Sequence, residues 1–467
     1  MQPAANSEGA ERTIVEPAHR DVWFWATVLI LLAGVVLRVV PELFEIPAVI
    51  HDAVGYRDSA RHLVENDWDY VNTFREPLLP LLLALTHTFL GDDLVTHLRV
   101  LGLLSALAMV LGVRLWHRST PRRVPWVPPL LALLLAVDGD QLEWVVQLST
   151  LAPHSLLFTA AVACLVVSVS TGSRAWAAGA GVCLGLAGLS RASWVAMALP
   201  AAALSLLGPK AGRRGRAAAV LLTAAILFAP LPIYNQLRHG CFAPSSASGV
   251  HVFTRTWHLA PEGQASPQLR ALARRFAADY PELDGDVLSE AVKWDVLAEL
   301  QRQGVDDWEI DRRFRAVSHE NVLRHPGEYL KESIAMGVRS LGMYDFTWYG
   351  GAWAAAMKRP LGEAIAQVDL LSIFVKVTFR ILLPLGAVIA LLGGFLLALR
   401  RRQAAVAVLL GMAGSVVLLL ALAAPSTGVR RYRAEIASVL LPAIAVGAVT
   451  CLARRSGGAR VEAGEPR

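Results

Sequence analysis

The sequence predicts an all-α polytopic membrane protein, and three observations carry that expectation. Of the 467 residues, 55% are hydrophobic and 18% charged, a balance too apolar for an ordinary soluble enzyme. The apolar residues gather into about ten runs near the length that crosses a bilayer. Arginine collects in the short segments between those runs, where it reports orientation. The formal charge of +6 therefore gives no argument for a nucleic-acid partner. Cys164, Cys183 and Cys451 lie in or beside apolar runs and Cys241 in an expected external region, so no disulfide framework can be drawn.

In chain order, a polar tail (1–21) precedes an apolar run that is longer than the core of a signal peptide and has no small-residue cleavage pattern, so it reads as an anchor. Runs long enough to span cover 22–44, 94–116, 124–137, 151–170, 175–189, 192–207, 217–234, 375–399, 404–424 and 436–452. The clusters at Arg118, Arg122 and Arg123, at Lys210 to Arg216, at Arg400 to Arg402 and at Arg454 and Arg455 share one side if the short segment 78–90 does not cross. Both termini are then cytoplasmic, in a multi-pass protein of the cell membrane. The expected organisation is a membrane module (22–235) holding a first outer loop (45–93), an external, mostly helical region (236–373), C-terminal membrane helices (374–453) and a cytoplasmic tail (454–467). Within the external region, 238–261 reads as irregular loop because Gly240, Pro244, three serines and Gly249 interrupt it. The patch 348–353 reads as an interfacial aromatic anchor.

The first outer loop holds the densest chemistry. From Ala53 to Val64, Tyr56, Ala60, Leu63 and Val64 recur at helical spacing opposite Arg57, Asp58, Arg61 and Glu65, which predicts an amphipathic helix in the interface. Asp52 stands just before it, either as an N-cap or as an acid placed at the membrane face beside Tyr56, Asp58, Arg61 and Arg75. In the second outer loop, Asp138, Asp140 and Glu143 could bind a divalent cation or mark a solvated loop end. His154 sits inside the start of a span, where an ionisable group is a functional candidate, although a histidine facing another helix has the same pattern. Arg191 interrupts an apolar stretch; at the bilayer centre it would cost about 2.5–3.5 kcal/mol, so the outer surface is its expected place. Arg430, Arg431 and Arg433 beside Tyr432 run against the positive-inside trend. They suit either a lipid-phosphate clamp or general contact with anionic head groups of the membrane lipids.

Taken in order, these segments resemble a family. An acid in the first outer loop has a tyrosine four residues on, followed by Arg-Glu-Pro-Leu-Leu-Pro (Arg75 to Pro80), then Leu90-Gly91 leading to Leu98-Arg99. GLAGLSRASW runs from Gly185 to Trp194 and PLPIYNQLRHGCFAPSSASG from Pro230 to Gly249; ENVLRHPGEYLKESI begins at Glu320 and RRYRAEIASVLLP at Arg430. The whole is similar to the polyprenyl-phosphate-sugar-dependent glycosyltransferases of the GT-C fold, the group that includes protein O-mannosyltransferases and lipid A aminoarabinose transferases. The resemblance implies a GT-C-like bundle with juxtamembrane helices and a small external helical domain. It also implies inverting transfer of a sugar from a polyprenyl-phosphate donor to a hydroxyl of a glycan, lipid or protein acceptor outside the membrane. It puts the catalytic base on Asp52 and donor-phosphate contacts on Arg191, Arg431 and Tyr432, with Arg433 as a helper; Tyr56, Asp58, Arg75, Glu143 and His154, at the same outer face, are further candidate substrate contacts. Ala53 stands where a second acid is frequent and His154 where an acid is common, so need for a metal, for which Asp138 and Asp140 are the candidates, stays open. The rival from another class is a lipid-linked saccharide flippase; such transporters place polar groups at mid-span and often carry repeats, and neither is visible here.

Overall fold

The computed structural model describes residues 17–44, 52–66, 75–120, 124–145, 147–259, 262–283, 285–342, 365, 367, 369–370, 377, 382–423 and 429–458. Among the described residues there is no strand. The membrane module contains α1 (Pro17–Val39), α2 (Asp52–Glu65), α3 (Leu78–Leu90), α4 (Leu94–Ser119), α5 (Val127–Ala136) and α6 (Gly139–Val145). It continues with α7 (Leu151–Thr171), α8 (Arg174–Ser190), a 3-10 segment (Ala192–Met197), α9 (Ala198–Ser205), α10 (Arg213–Phe228) and α11 (Pro230–His239). Then come α12 (Ser248–Thr256), α13 (Pro267–Ala277), α14 (Gly285–Arg302), α15 (Asp307–Arg324) and α16 (Pro326–Gly342). The C-terminal helices are α17 (Leu383–Arg400, with a π-helical stretch at Ile389–Gly393), α18 (Ala404–Ala423) and α19 (Val429–Gly458).

Boundaries follow local chemistry. Asp93 caps α4 by accepting the Thr96 amide N–H at 3.0 Å. Gly172 ends α7 in the left-handed region (φ 76°), and Ser173 immediately caps α8. Among the described residues, six helices are long and apolar enough to cross a membrane: in α1, α4, α7, α10 with α11, α17 and α19. Of the other expected spans, α5 has only 10 residues, starting at Val127 before two prolines and ending ahead of the Asp138 turn. Segment 78–90 forms α3, 13 residues packed against α2 and α4 through Leu79, Leu83 and Leu98. At 1.5 Å per residue it is too short to span.

Burial sorts the bundle. Two-thirds of the apolar windows of α7 and α19 (67% each) lie inside the protein, against 17% for α1 and for α10 with α11. The first pair is the centre, and the second presents side chains such as Trp25, Leu29, Leu222 and Ile226 outward, where lipid chains suit them. Small residues let the centre close. A Cβ on Gly112 of α4 would overlap the carbonyl oxygen of Ser438 in α19, and one on Gly102 that of Arg38 in α1. Ser438 Oγ also lies 3.2 Å from Ser155 Oγ and 2.6 Å from Thr159 Oγ1 on α7.

Helices α12 to α15 enclose a separate apolar core in which Phe253 meets Trp257 and Phe314. Here the expectation of an irregular 238–261 is corrected. Ser248–Thr256 is helical and runs into a 3-10 turn at Trp257–Leu259. Val250, Phe253 and Trp257 make a buried face at helical spacing, and tertiary packing overrides the glycine and serines around them. Gly249 is required at a close approach: its Cβ would overlap the backbone of Asp311 on α15. The external boundary expected at 236 falls inside α11, which runs on to His239 and ends at Gly240 (φ 70°).

The Gly112 crossing can be tested. Gly112→Ala should destabilise the protein by about 1–3 kcal/mol, as overpacking does, whereas Gly414→Ala, whose Cβ meets nothing within 4 Å, should be neutral or slightly stabilising. Thermal unfolding of the purified variants in detergent reads the difference.

Candidate functional site

The acids and arginines singled out from the sequence gather at one end of the bundle. α2 begins at Asp52, and its side chain, 40% exposed, accepts a hydrogen bond from Arg75 Nη2 at 2.8 Å. Arg75 also lies over the Tyr56 ring, 5.1 Å from its centroid. Asp52 and Tyr56 are one turn apart on one face, and the loop before α3 brings Arg75 across both. Burial opposes the Arg75 charge, but Asp52 and its hydrogen bond outweigh it, so the guanidinium is held above its ordinary pKa. The other half of α2 is anchored by Arg61, which donates to Asp92 at 2.6 and 2.9 Å.

Glu76 carries the arrangement inward. Its Oε1 accepts from the amide N–H of Ala192 at 3.5 Å. Burial pushes its carboxyl up, with its own backbone and Arg191 pulling back. Arg191, in extended backbone between α8 and the 3-10 segment, donates through Nε to Thr150 Oγ1 at 3.0 Å and lies 3.2 Å from Glu435 Oε1 on α19. Glu435 is fully buried. One turn beyond Thr150, His154 is also fully buried; its ring centroid is 4.1 Å from that of Trp194 and neither nitrogen has a hydrogen-bond partner. Two residues of the external unit lie near enough to Asp52 to feel its charge. Lys293 of α14 is buried against Glu290 at 2.7 Å. His251 of α12 is exposed, yet desolvation by the protein around it, then the charges of Lys293 and Arg191, push its imidazole well below the ordinary range, with Asp52 opposing the shift and Arg75 adding to it.

Of the residues expected from the sequence, Asp52, Tyr56, Arg75, His154 and Arg191 come together. Asp58 does not: six residues on from Asp52, it is turned about 120° away around α2. Asp138 and Arg433 instead pair with each other. Arg433 Nη2 donates to Asp138 Oδ1 at 3.1 Å, both side chains being essentially inaccessible, and Asp138 also caps the Gln141 amide at 3.2 Å. The expected phosphate ligand and metal ligand are thus committed to each other, because two opposite charges taken into an apolar interior need a partner. Among the described residues no group of three or more His, Cys, Asp or Glu could hold a metal ion. Glu143 is half-buried on α6. The side chains of Asp140, Arg431 and Tyr432 and the patch 348–353 lie outside the described residues, although the backbone places Arg431 and Tyr432 in the first turn of α19.

Four site residues were not anticipated. Glu76 and Glu435 stand beside residues that were, inside Arg-Glu-Pro and Arg-Ala-Glu, and a carboxylate next to a buried arginine is the signal that could have found them. His251 and Lys293 carry no local signal.

No protein-family model and no curated protein matches the chain. Among solved structures it is similar to the archaeal oligosaccharyltransferase AglB from Archaeoglobus fulgidus in complex with an inhibitory peptide and a dolichol-phosphate, with a TM-score of 0.48 and 14% identity over 97% of this chain and 53% of that one. The chain thus spans about half the length of that structure. It is also similar to ArnT from Cupriavidus metallidurans bound to undecaprenyl phosphate, with a TM-score of 0.34 and 13% identity over 95% of this chain and 79% of that one. The apo state of ArnT matches with the same TM-score at 12% identity.

The buried pair makes a prediction. Arg433→Met should cost about 3–5 kcal/mol by leaving the Asp138 charge uncompensated, and adding Asp138→Asn, which keeps an acceptor for the α6 cap, should restore most of it. Thermal unfolding of the single and double variants distinguishes this from a phosphate-binding Arg433, for which the second change would restore nothing.

Proposed function

We propose that this chain is an integral membrane glycosyltransferase that takes a sugar from a polyprenyl-phosphate donor and passes it to an acceptor hydroxyl on the outer face of the membrane. The Asp52–Arg75 pair, at one end of an apolar bundle and linked through Glu76 and the Ala192 amide to the Arg191–Glu435 pair, carries this reading. Its order along the chain matches the GT-C resemblance in the sequence. In the reaction the acceptor oxygen gives its proton to the Asp52 carboxylate and bonds to the anomeric carbon, while the bond from that carbon to the phosphate oxygen breaks and its electron pair leaves on the lipid phosphate. A carboxylate suffices as base because phosphate is a good leaving group. Arg75 orients the carboxylate, Tyr56 supports Arg75, and the exposed edge of Asp52 faces the side from which an acceptor arrives. Arg431 and Arg191 stabilise the charge that builds on the departing phosphate. Inversion at the anomeric carbon follows from a single displacement.

The purified full chain, offered a panel of radiolabelled polyprenyl-phosphate sugars with a membrane extract, should form a new glycosidic bond with one of them and none from nucleotide sugars. Movement of intact lipid-linked sugar across the bilayer without a new bond would instead select the flippase. Asp52→Asn should abolish transfer while donor binding and the melting temperature stay near wild type, since an amide keeps the shape and accepts from Arg75 but takes no proton. Arg431→Ala should lower transfer roughly ten- to a hundredfold, the worth of one charge-assisted bond to phosphate, with lysine restoring only part.

A further inference from the structure

At the end of the bundle opposite Asp52, the connection between α17 and α18 meets the end of α4. Arg118 and Ser119 from α4 and Gln403 to Val406 from the start of α18, with Thr120 and Ser170, line a pocket of about 310 Å³. Three features of it point the same way. The backbone amides of Ala404, Ala405 and Val406 open the 20-residue α18 with no acidic side chain in its first turn, so the positive end of that helix has no counter-charge of its own. Ser119 is 3% exposed, and its Oγ has no hydrogen-bond partner, although a serine in a helix can ordinarily donate to the carbonyl four residues back. Gln403 Oε1 is likewise buried without a partner, and a half-turn of its amide would present NH2 to the pocket. Arg118 supplies a full positive charge at the rim, and no carboxylate lines the pocket. Unused donors, a helix N-terminus and an arginine converging on one space are the complement of an anion.

We propose that this pocket binds a phosphate group, held by the α18 amides and Ser119 Oγ and neutralised by Arg118. Phosphate offers acceptors in several directions at once, whereas a halide could not satisfy the separated donors together. Anionic phospholipid headgroups and free phosphate present the same chemistry, and the test separates them.

The full chain in neutral detergent would be titrated with dihexanoyl phosphatidic acid, with inorganic phosphate and with dihexanoyl phosphatidylcholine, reading the melting temperature. Phosphatidic acid should raise it saturably and phosphatidylcholine should not; an equal effect of inorganic phosphate would assign the site to the free ion. Ser119→Ala should move the midpoint of the titration at least about tenfold upward. Gln403→Glu, which places a carboxylate at the α18 N-terminus, should abolish the response and raise the melting temperature without ligand. The proposal is overturned if neither phosphate probe gives a saturable shift, or if the shift persists unchanged in both variants.

Discussion

Arg191 and the fully buried Glu435 form the contact on which the outer end of this molecule depends. The pair is set among apolar helices, where a lone carboxylate would be far more costly than a neutral side chain. Arg191 therefore has to be where it is, and three segments distant in sequence follow it: Thr150 at the head of α7, Glu435 on α19 and, through the neighbouring Ala192 amide, Glu76. Glu76 is bonded in sequence to Arg75, so this charge pair in the bundle also fixes the guanidinium that orients Asp52. An acid on a surface helix is thereby held by the rigid centre of the bundle, not by its loop alone.

A second polar network lies just behind the first. Ala434, between Arg433 and Glu435, accepts from Gln141 Nε2 at 3.0 Å, and Gln141 Oε1 in turn accepts from Arg38 Nη2 at 2.8 Å. Arg38 is fully buried and also donates to Ala136 and Gly34 carbonyls. Ala136 is the last residue of α5, whose carbonyl has no intrahelical partner, so a charged side chain does there the work that water does outside an apolar interior. Arg216 acts alike at the other end, donating to carbonyls of Ser205, Pro209 and Ala211. Arginine here has at least two uses that look alike in a sequence: a freely solvated charge and a buried clip for backbone.

That double use explains what could and could not be read from the residues. Length and period were enough for α2, α3 and the long helices, because an amphipathic repeat or an unbroken apolar run has few alternatives. The convergence of the first loop with Arg191 followed from orientation alone. The Arg433–Asp138 pair was not legible because nothing near either residue in the chain reveals a partner 295 positions away, and three arginines beside a tyrosine suggest a clamp as readily as a strut. His251 lies in a stretch whose glycines and serines hide α12, and Lys293 lies on α14, 42 positions further on; their nearness to Asp52 is a long-range property with no periodic trace.

The surroundings of Asp52 differ from those of Arg191 in a way that bears on chemistry. Asp52 is open to water at 40% exposure, while His154, Trp194 and Glu435 behind it are closed off. Under the proposed reading a water-borne acceptor meets the base from the open side and a lipid-borne donor lies toward the bundle. The closed side then has a further requirement: charge arriving on a leaving phosphate must be met without water to reorganise around it, which is where fixed guanidinium groups are most effective. Arg191 meets it because Thr150 and Glu435 hold its orientation before any substrate is present. On the same reading Glu435 tempers that charge, so the site would accept a dianion without holding the spent lipid phosphate as tightly as a lone arginine would, and the pairing would favour release of the carrier as well as its capture.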